Sequence, residues 1–185
     1  MRRTTLFLPF LVLLASACGE EPVAPPTGLA AEAPANARVE APTVSTGLAA
    51  LRRATAPFHR FDVALDAEYT FLFNGMCMED PAGGMGYHYV NLGLLDGEVE
   101  VAKPEALLYE PGPNQQMRLV AVEYVIPKDA WAGPGVPTLL GQELTLNSFD
   151  LYALHAWVWK DNPDGMFAAW NPRVSCAHAA PVSSR

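Results

Sequence analysis

Apolar residues recur along this chain first at helical and then at strand spacing. Leu48, Leu51, Arg52 and Thr55 share one helical face ahead of Pro57, and Phe61, Ala64, Leu65 and Glu68 fall near another between about Arg60 and Tyr69. Both stretches predict helices. From Tyr69 onward the signal becomes short runs of β-branched and aromatic residues: Tyr87–Asn91, Ala106–Glu110, Arg118–Ile126 and Tyr152–Lys160. The second and third of these flank Pro111-Gly112-Pro113-Asn114, which predicts a hairpin with a longer loop. Asp80–Gly84 reads as a flexible segment, and Asp161-Asn162-Pro163-Asp164-Gly165 as a turn. No internal repeat is present. Helices first and strands afterwards predict an α+β fold, N-terminal helices followed by an antiparallel sheet, in a single domain over residues 46–178.

The first residues change the picture of where this domain works. Met1-Arg2-Arg3 is followed by the apolar run Leu6–Leu14 and then Ala15-Ser16-Ala17-Cys18. A basic start, an apolar stretch and small residues before a cleavage point predict an export signal over residues 1–17. The apolar run is far shorter than the roughly 20 residues a membrane-spanning helix needs. With Cys18 directly after the small residues, the stretch also looks like the lipobox of bacterial lipoproteins, so Cys18 is the expected lipidation site. Residues 18–45, rich in Pro and Ala and without an aromatic, cannot bury enough apolar surface to offset their ordering entropy, and read as a disordered tether. Residues 179–185 form a tail. The expected address is the cell envelope, exported and lipid-anchored; Gly19 supplies no Asp-type inner-membrane retention cue, which favours the outer membrane.

Charge and cysteines narrow the partners. The chain carries 12 basic and 20 acidic groups, a net charge of −8, and loss of Arg2 and Arg3 with the signal leaves −10. Such a field repels nucleic acid and anionic head groups, so the lipid anchor is the only membrane contact expected and nucleic acid is excluded as a partner. Of three cysteines, lipidation occupies Cys18; in an oxidising compartment Cys77 and Cys176 are then expected to pair.

The candidate chemistry centres on His88, Glu123 and His155, each inside a predicted strand with apolar neighbours. At period two, Glu123 shares a face with Leu119, Ala121 and Val125, His155 with Trp157 and Trp159, and His88 with Val90. A carboxylate on so apolar a face is expensive unless it is paired or metal-bound. If the three strands are neighbours, two imidazoles and a carboxylate converge, a ligand set for zinc or non-haem iron. A buried Glu–His hydrogen-bonded cluster, or three unrelated residues, fits the same sequence. Met76, Cys77, Met78 and Met85 offer soft ligands for copper, against which stand the use of Cys77 in a disulfide and of methionine as core filler. Trp157, Trp159, Phe167 and Trp170 could build an aromatic platform or simply core. There is no Gly-x-Ser-x-Gly elbow, and Gly83-Gly84-Met85-Gly86 lacks the Lys-Ser/Thr of a phosphate loop. A binding domain for an unidentified ligand or partner, rather than an enzyme, is the leading expectation; a metal-binding protein or metalloenzyme is the alternative.

Taken together, Gly84–Asn91, Pro104–Pro111, Leu119–Tyr124, Leu154–Pro163 and Trp170–Cys176 resemble a family of uncharacterised secreted bacterial proteins. The resemblance covers about residues 50–176. It implies a domain boundary and no particular reaction. Where similar sequences lead from the first helix into Gly-Tyr, this chain has Glu68-Tyr69.

Overall fold

A computed structural model describes residues 43–180. The signal segment, Cys18, the tether up to Pro42 and residues 181–185 lie outside the described residues. Helix α1 runs Val44–Thr55, two residues into the stretch expected to be tether, because Thr43 caps it: its hydroxyl accepts the Thr46 N–H at 3.4 Å. Arg52 and Arg53 sit in the last turn, where cations favour the helix dipole. Leu51 and Thr55 are fully buried.

Helix α2, Phe61–Asp66, is shorter than the expected span to Tyr69. Glu68 adopts φ 67°, and the Glu68 and Tyr69 N–H groups return to the Leu65 and Ala64 carbonyls at 3.0 and 3.1 Å. That is a Schellman stop with a glutamate at the left-handed position glycine usually takes.

The strands are β1 Phe71–Leu72, β2 Met78–Asp80, β3 Gly83–Val90, β4 Ala106–Pro111, β5 Met117–Pro127, β6 Thr138–Leu139, β7 Gln142–Glu143, β8 Thr145–Leu146 and β9 Leu151–Ala156. A seven-stranded antiparallel sheet has the order β1-β3-β4-β5-β9-β8, with β2 also on β3; β6 and β7 pair separately. The architecture is therefore one domain dominated by an antiparallel sheet, with a few short helices. Asp80–Gly84, expected to be flexible, forms the β2–β3 turn, with the Asp80 carboxylate accepting the Ala82 N–H at 3.0 Å. Cys77 and Cys176 are disulfide-bonded, their Cα atoms 5.8 Å apart across 99 residues of sequence.

The two faces of the sheet do different work. One packs Leu107, Tyr109, Val122, Tyr124 and Ile126 against Leu51 and Ala64 of the helices. Three core tyrosines there donate to backbone carbonyls: Tyr69 to Pro104, Tyr109 to Phe58 and Tyr124 to Val101, at 2.7–2.8 Å. The other face carries Met85, Val90, Ala106, Leu108, Val120, Ala121 and Trp157.

Two features correct the simple period-two reading. The β4–β5 register slips between Leu108 and Tyr109, whose partners are Ala121 and Leu119. Val120 is thus the extra residue of a bulge, and Leu119 turns to the helix face, away from Glu123. Strand β9 stops at Ala156 instead of Lys160; the Trp159 and Lys160 N–H groups both donate to the Val120 carbonyl, at 3.2 and 3.0 Å. Trp159 consequently packs with the helices, donating to Thr55 Oγ1 at 3.1 Å, and does not share a face with His155.

Candidate metal centre

Pairing register brings the three sequence-flagged residues together. Glu123 and His155 are direct partners across β5 and β9. His88 lies two strands from Glu123, with β4 between them: Val90, Ala106 and Glu123 form one cross-strand row, and His88, Leu108 and Ala121 the next. Strands stand about 4.8 Å apart, so His88 and Glu123 meet only if nothing large rises from the intervening row. Ala106, fully buried, supplies that gap.

Gly86 sets the approach of β3. It holds φ 89°, and a Cβ there would come within 2.5 Å of the Tyr109 carbonyl oxygen. The irregularity it creates opposite Met78 brings Met85 and His88 to the same face despite their odd spacing.

His88 Nε2 lies 3.6 Å from Glu123 Oε2, and His155 Nε2 lies 3.6 Å from Glu123 Oε1. One ligand atom from each residue falls within 4.8 Å of both others. These separations exceed hydrogen-bond length. Donors about 2.0–2.2 Å from a shared ion stand roughly 3–4 Å from one another, and both histidine–glutamate separations fall in that range.

Burial governs the protonation of this group. The Glu123 carboxyl is pushed up to about 8 by loss of water. His88 is held down at about 4 and His155 at about 3, chiefly by the same desolvation. For His88 the Gly86 backbone pulls weakly the other way, although His88 Nδ1 makes no hydrogen bond of normal geometry. For His155 the neighbouring His88 adds to the depression. At neutral pH the three are two neutral imidazoles and a largely protonated carboxyl, so the close contacts are not ion pairs.

Polar partners are missing where a metal site normally has them. Among the described residues His88 Nδ1 and His155 Nε2 are buried without a hydrogen-bond partner, so the outer partner expected behind each imidazole is absent at least for His88. Aromatic packing orients the rings instead. His155 stacks on Trp157 with centroids 6.1 Å apart, and His88 meets Phe73 edge-on at 6.4 Å.

The cluster opens onto a cavity of about 580 Å³ on the face away from the helices. Phe71, Phe73, Met78, Met85, Phe149 and Trp170 contribute apolar walls, and among the described residues Glu123 and Glu143 are the acidic side chains that line it. The four-aromatic platform does not form: Phe167 and Trp170 line the cavity, Trp157 is buried with its indole N–H on the Ala168 carbonyl at 2.6 Å, and Trp159 lies on the opposite face. The copper reading loses Cys77 to the disulfide, and Met76 is exposed.

Other buried acids escaped the sequence reading. Glu105, 2% exposed, accepts the Val125 N–H at 2.8 Å and is likewise pushed up to about 8, mainly by burial. Glu110 holds Lys160 Nζ at 2.6 and 2.8 Å and the Ser175 N–H at 3.0 Å, pinning the C-terminal segment to β4. Their signal was present, since both glutamates border the apolar run Ala106–Tyr109. Among the described residues, no helix is long and apolar enough to cross a membrane. Comparison with protein-family models, curated proteins and solved structures finds no match to this chain.

Proposed function

We propose that this domain binds one divalent transition metal, zinc or ferrous iron, through His88, Glu123 and His155, and does so outside the cytoplasm while tethered by lipid on Cys18. The observation that carries the metal reading is a trio of ligand atoms gathered within 4.8 Å in a desolvated spot without a hydrogen bond among them. A purely structural polar cluster satisfies its buried groups. Glu105 illustrates the difference within the same molecule, because its carboxylate takes a backbone N–H. Three protein ligands also leave a coordination position open, which is the pattern of a site that accepts a further ligand rather than a closed structural site. The ligand chemistry, two imidazoles and one carboxylate, suits zinc or iron better than copper(I), which prefers sulfur.

The test is metal analysis of the purified protein, followed by cobalt(II) or zinc titration after stripping with a chelator. About one equivalent of metal, with affinity falling at least tenfold in both His88→Ala and His155→Ala, is the expected result. Less than a tenth of an equivalent in the wild type, with no cobalt spectrum on titration, would overturn it. The export reading rests on residues 1–18, and a Cys77–Cys176 disulfide is at home in an oxidising compartment. Cys18→Ser should release the protein from the membrane fraction; unchanged association without lipid on the mature N-terminus would refute the anchor.

A further inference from the structure

A divalent ion held by one carboxylate and two neutral imidazoles retains one positive charge. Here that charge would sit at the wall of a cavity whose remaining lining is predominantly apolar and, among the described residues, contains no lysine or arginine. The other acid, Glu143, is exposed, so solvent screens it. An unneutralised charge in such a place is costly, and one further negative ligand cancels it. Hydroxide could cancel it but would leave the rest of the 580 Å³ unfilled. That volume lies in the range of small-molecule pockets, and walls with few polar groups call for an apolar body. The entrance has the same character: Phe71, Leu92 and Phe149 are 45%, 56% and 54% exposed, large apolar side chains that a soluble surface has no reason to group. His88, Glu123 and His155 all line this cavity, so an ion they hold faces the space that the polar end of such a molecule would fill.

We propose that the cavity binds a monoanionic amphiphile, a carboxylate with an extended apolar tail, with the carboxylate completing the coordination of the metal on His88, Glu123 and His155 and the tail lying against Phe73, Met85 and Trp170. This rests on the metal reading above. Charge complementarity makes the binding conditional: without the ion the site holds no positive charge to offset an anion's desolvation, and the net charge of −10 left once Arg2 and Arg3 go with the signal opposes its entry.

The experiment uses the full chain in zinc-loaded and chelator-stripped forms, with decanoate as the probe and decan-1-ol and acetate as controls. Calorimetry should show decanoate binding the zinc form at least about tenfold more tightly than the stripped form, a gap of about 1.4 kcal/mol or more. Decan-1-ol should show no such metal dependence, and acetate should bind more weakly than decanoate for want of a tail. In the cobalt(II) form, decanoate should perturb the visible absorption. Ala153→Phe, which places a ring in the cavity beside His155, should abolish decanoate binding while the metal content stays at one equivalent. Equal decanoate affinity with and without metal, equal metal dependence for decan-1-ol, or unchanged decanoate binding in Ala153→Phe would each overturn the proposal while leaving the metal centre intact. Failure of the protein to bind zinc or cobalt at all would instead remove the metal reading, and this proposal with it.

Discussion

Replacing Glu123 by glutamine separates a residue kept for ligation from one kept for folding. Burial raises the Glu123 carboxyl to about 8, against about 4.5 for an exposed glutamate. Between those values the folded chain retains a proton that the unfolded chain has released, so the folded state binds more protons and stability falls as pH rises. The contribution is absent below about pH 4.5, grows by about 1.4 kcal/mol per pH unit, and levels off above about pH 8. It reaches about 3 kcal/mol at pH 7 and about 5 kcal/mol beyond pH 8, upper figures because relaxation and water entry reduce the burden on the ionised form. Glutamine has nearly the same shape and does not ionise. Glu105, raised to about the same value, is common to both proteins and cancels from the comparison. Metal-free Glu123→Gln should therefore match wild type near pH 5 and exceed it by about 3 kcal/mol at pH 7, a rise in Tm of about 6–12 °C for a chain of this size. Urea unfolding and calorimetry in chelator at pH 5, 7 and 8.5, with the disulfide intact, read the effect directly. Zinc at a hundred times Kd should then stabilise wild type by about 2.7 kcal/mol and leave the variant unmoved. A variant no more stable than wild type at pH 8.5 would refute the reasoning, because it would mean that the folded chain already satisfies the Glu123 carboxylate.

Three further substitutions probe the supports of the site and fold. Ala106→Leu should lower metal affinity at least tenfold, because a branched side chain then stands between His88 and Glu123, and should destabilise by about 1–3 kcal/mol through overpacking; unchanged cobalt binding would show that His88 does not reach across that row. Glu68→Gly should stabilise by about 0.5–1 kcal/mol, since the position holds φ 67° and makes no side-chain hydrogen bond among the described residues; a lower Tm would contradict the strain assigned there. Cys77→Ser should cost about 2–5 kcal/mol, in line with opening a loop closed across 99 residues, with equality to wild type in denaturant midpoint as the refuting result.

Local chemistry carried more of the fold than of its geometry. The Ala106–Glu110 and Arg118–Ile126 runs and the turn residues between them correspond to β4 and β5, paired as a hairpin around residues 112–116. Strand limits were less legible where a tertiary contact decides them. Nothing in Tyr152–Lys160 marks Ala156 as the end; the strand stops because the bulge at Val120 exposes a carbonyl that captures the Trp159 and Lys160 N–H groups. That bulge is invisible in the hydrophobic pattern of Arg118–Ile126, which alternates no differently on either side of it. Asp80–Gly84 misled for the opposite reason, since residues chosen for a tight turn have the same composition as a flexible loop.

The site depended on the same unseen quantity, register. The pattern flags an acid beside apolar neighbours, but Glu123 and Glu105 meet that description equally and burial raises both to about 8. They differ in what stands opposite. Glu105 reaches the Val125 N–H and is thereby committed to holding β5 in place. Glu123 faces His155 across the β5–β9 pair, and past Ala106 it faces His88, two groups that are neutral under the same desolvation and stand 3.6 Å from its oxygens without a hydrogen bond. One acid is thus spent on the fold, and the other stands beside two imidazoles with no hydrogen bond to either. A slip of a single residue in the β5–β9 pairing would turn His155 to the helix face and dissolve the group. The chemistry of this domain is therefore written in strand pairing, and in the absence of a side chain beyond Cβ at position 106, more than in any run of neighbouring letters.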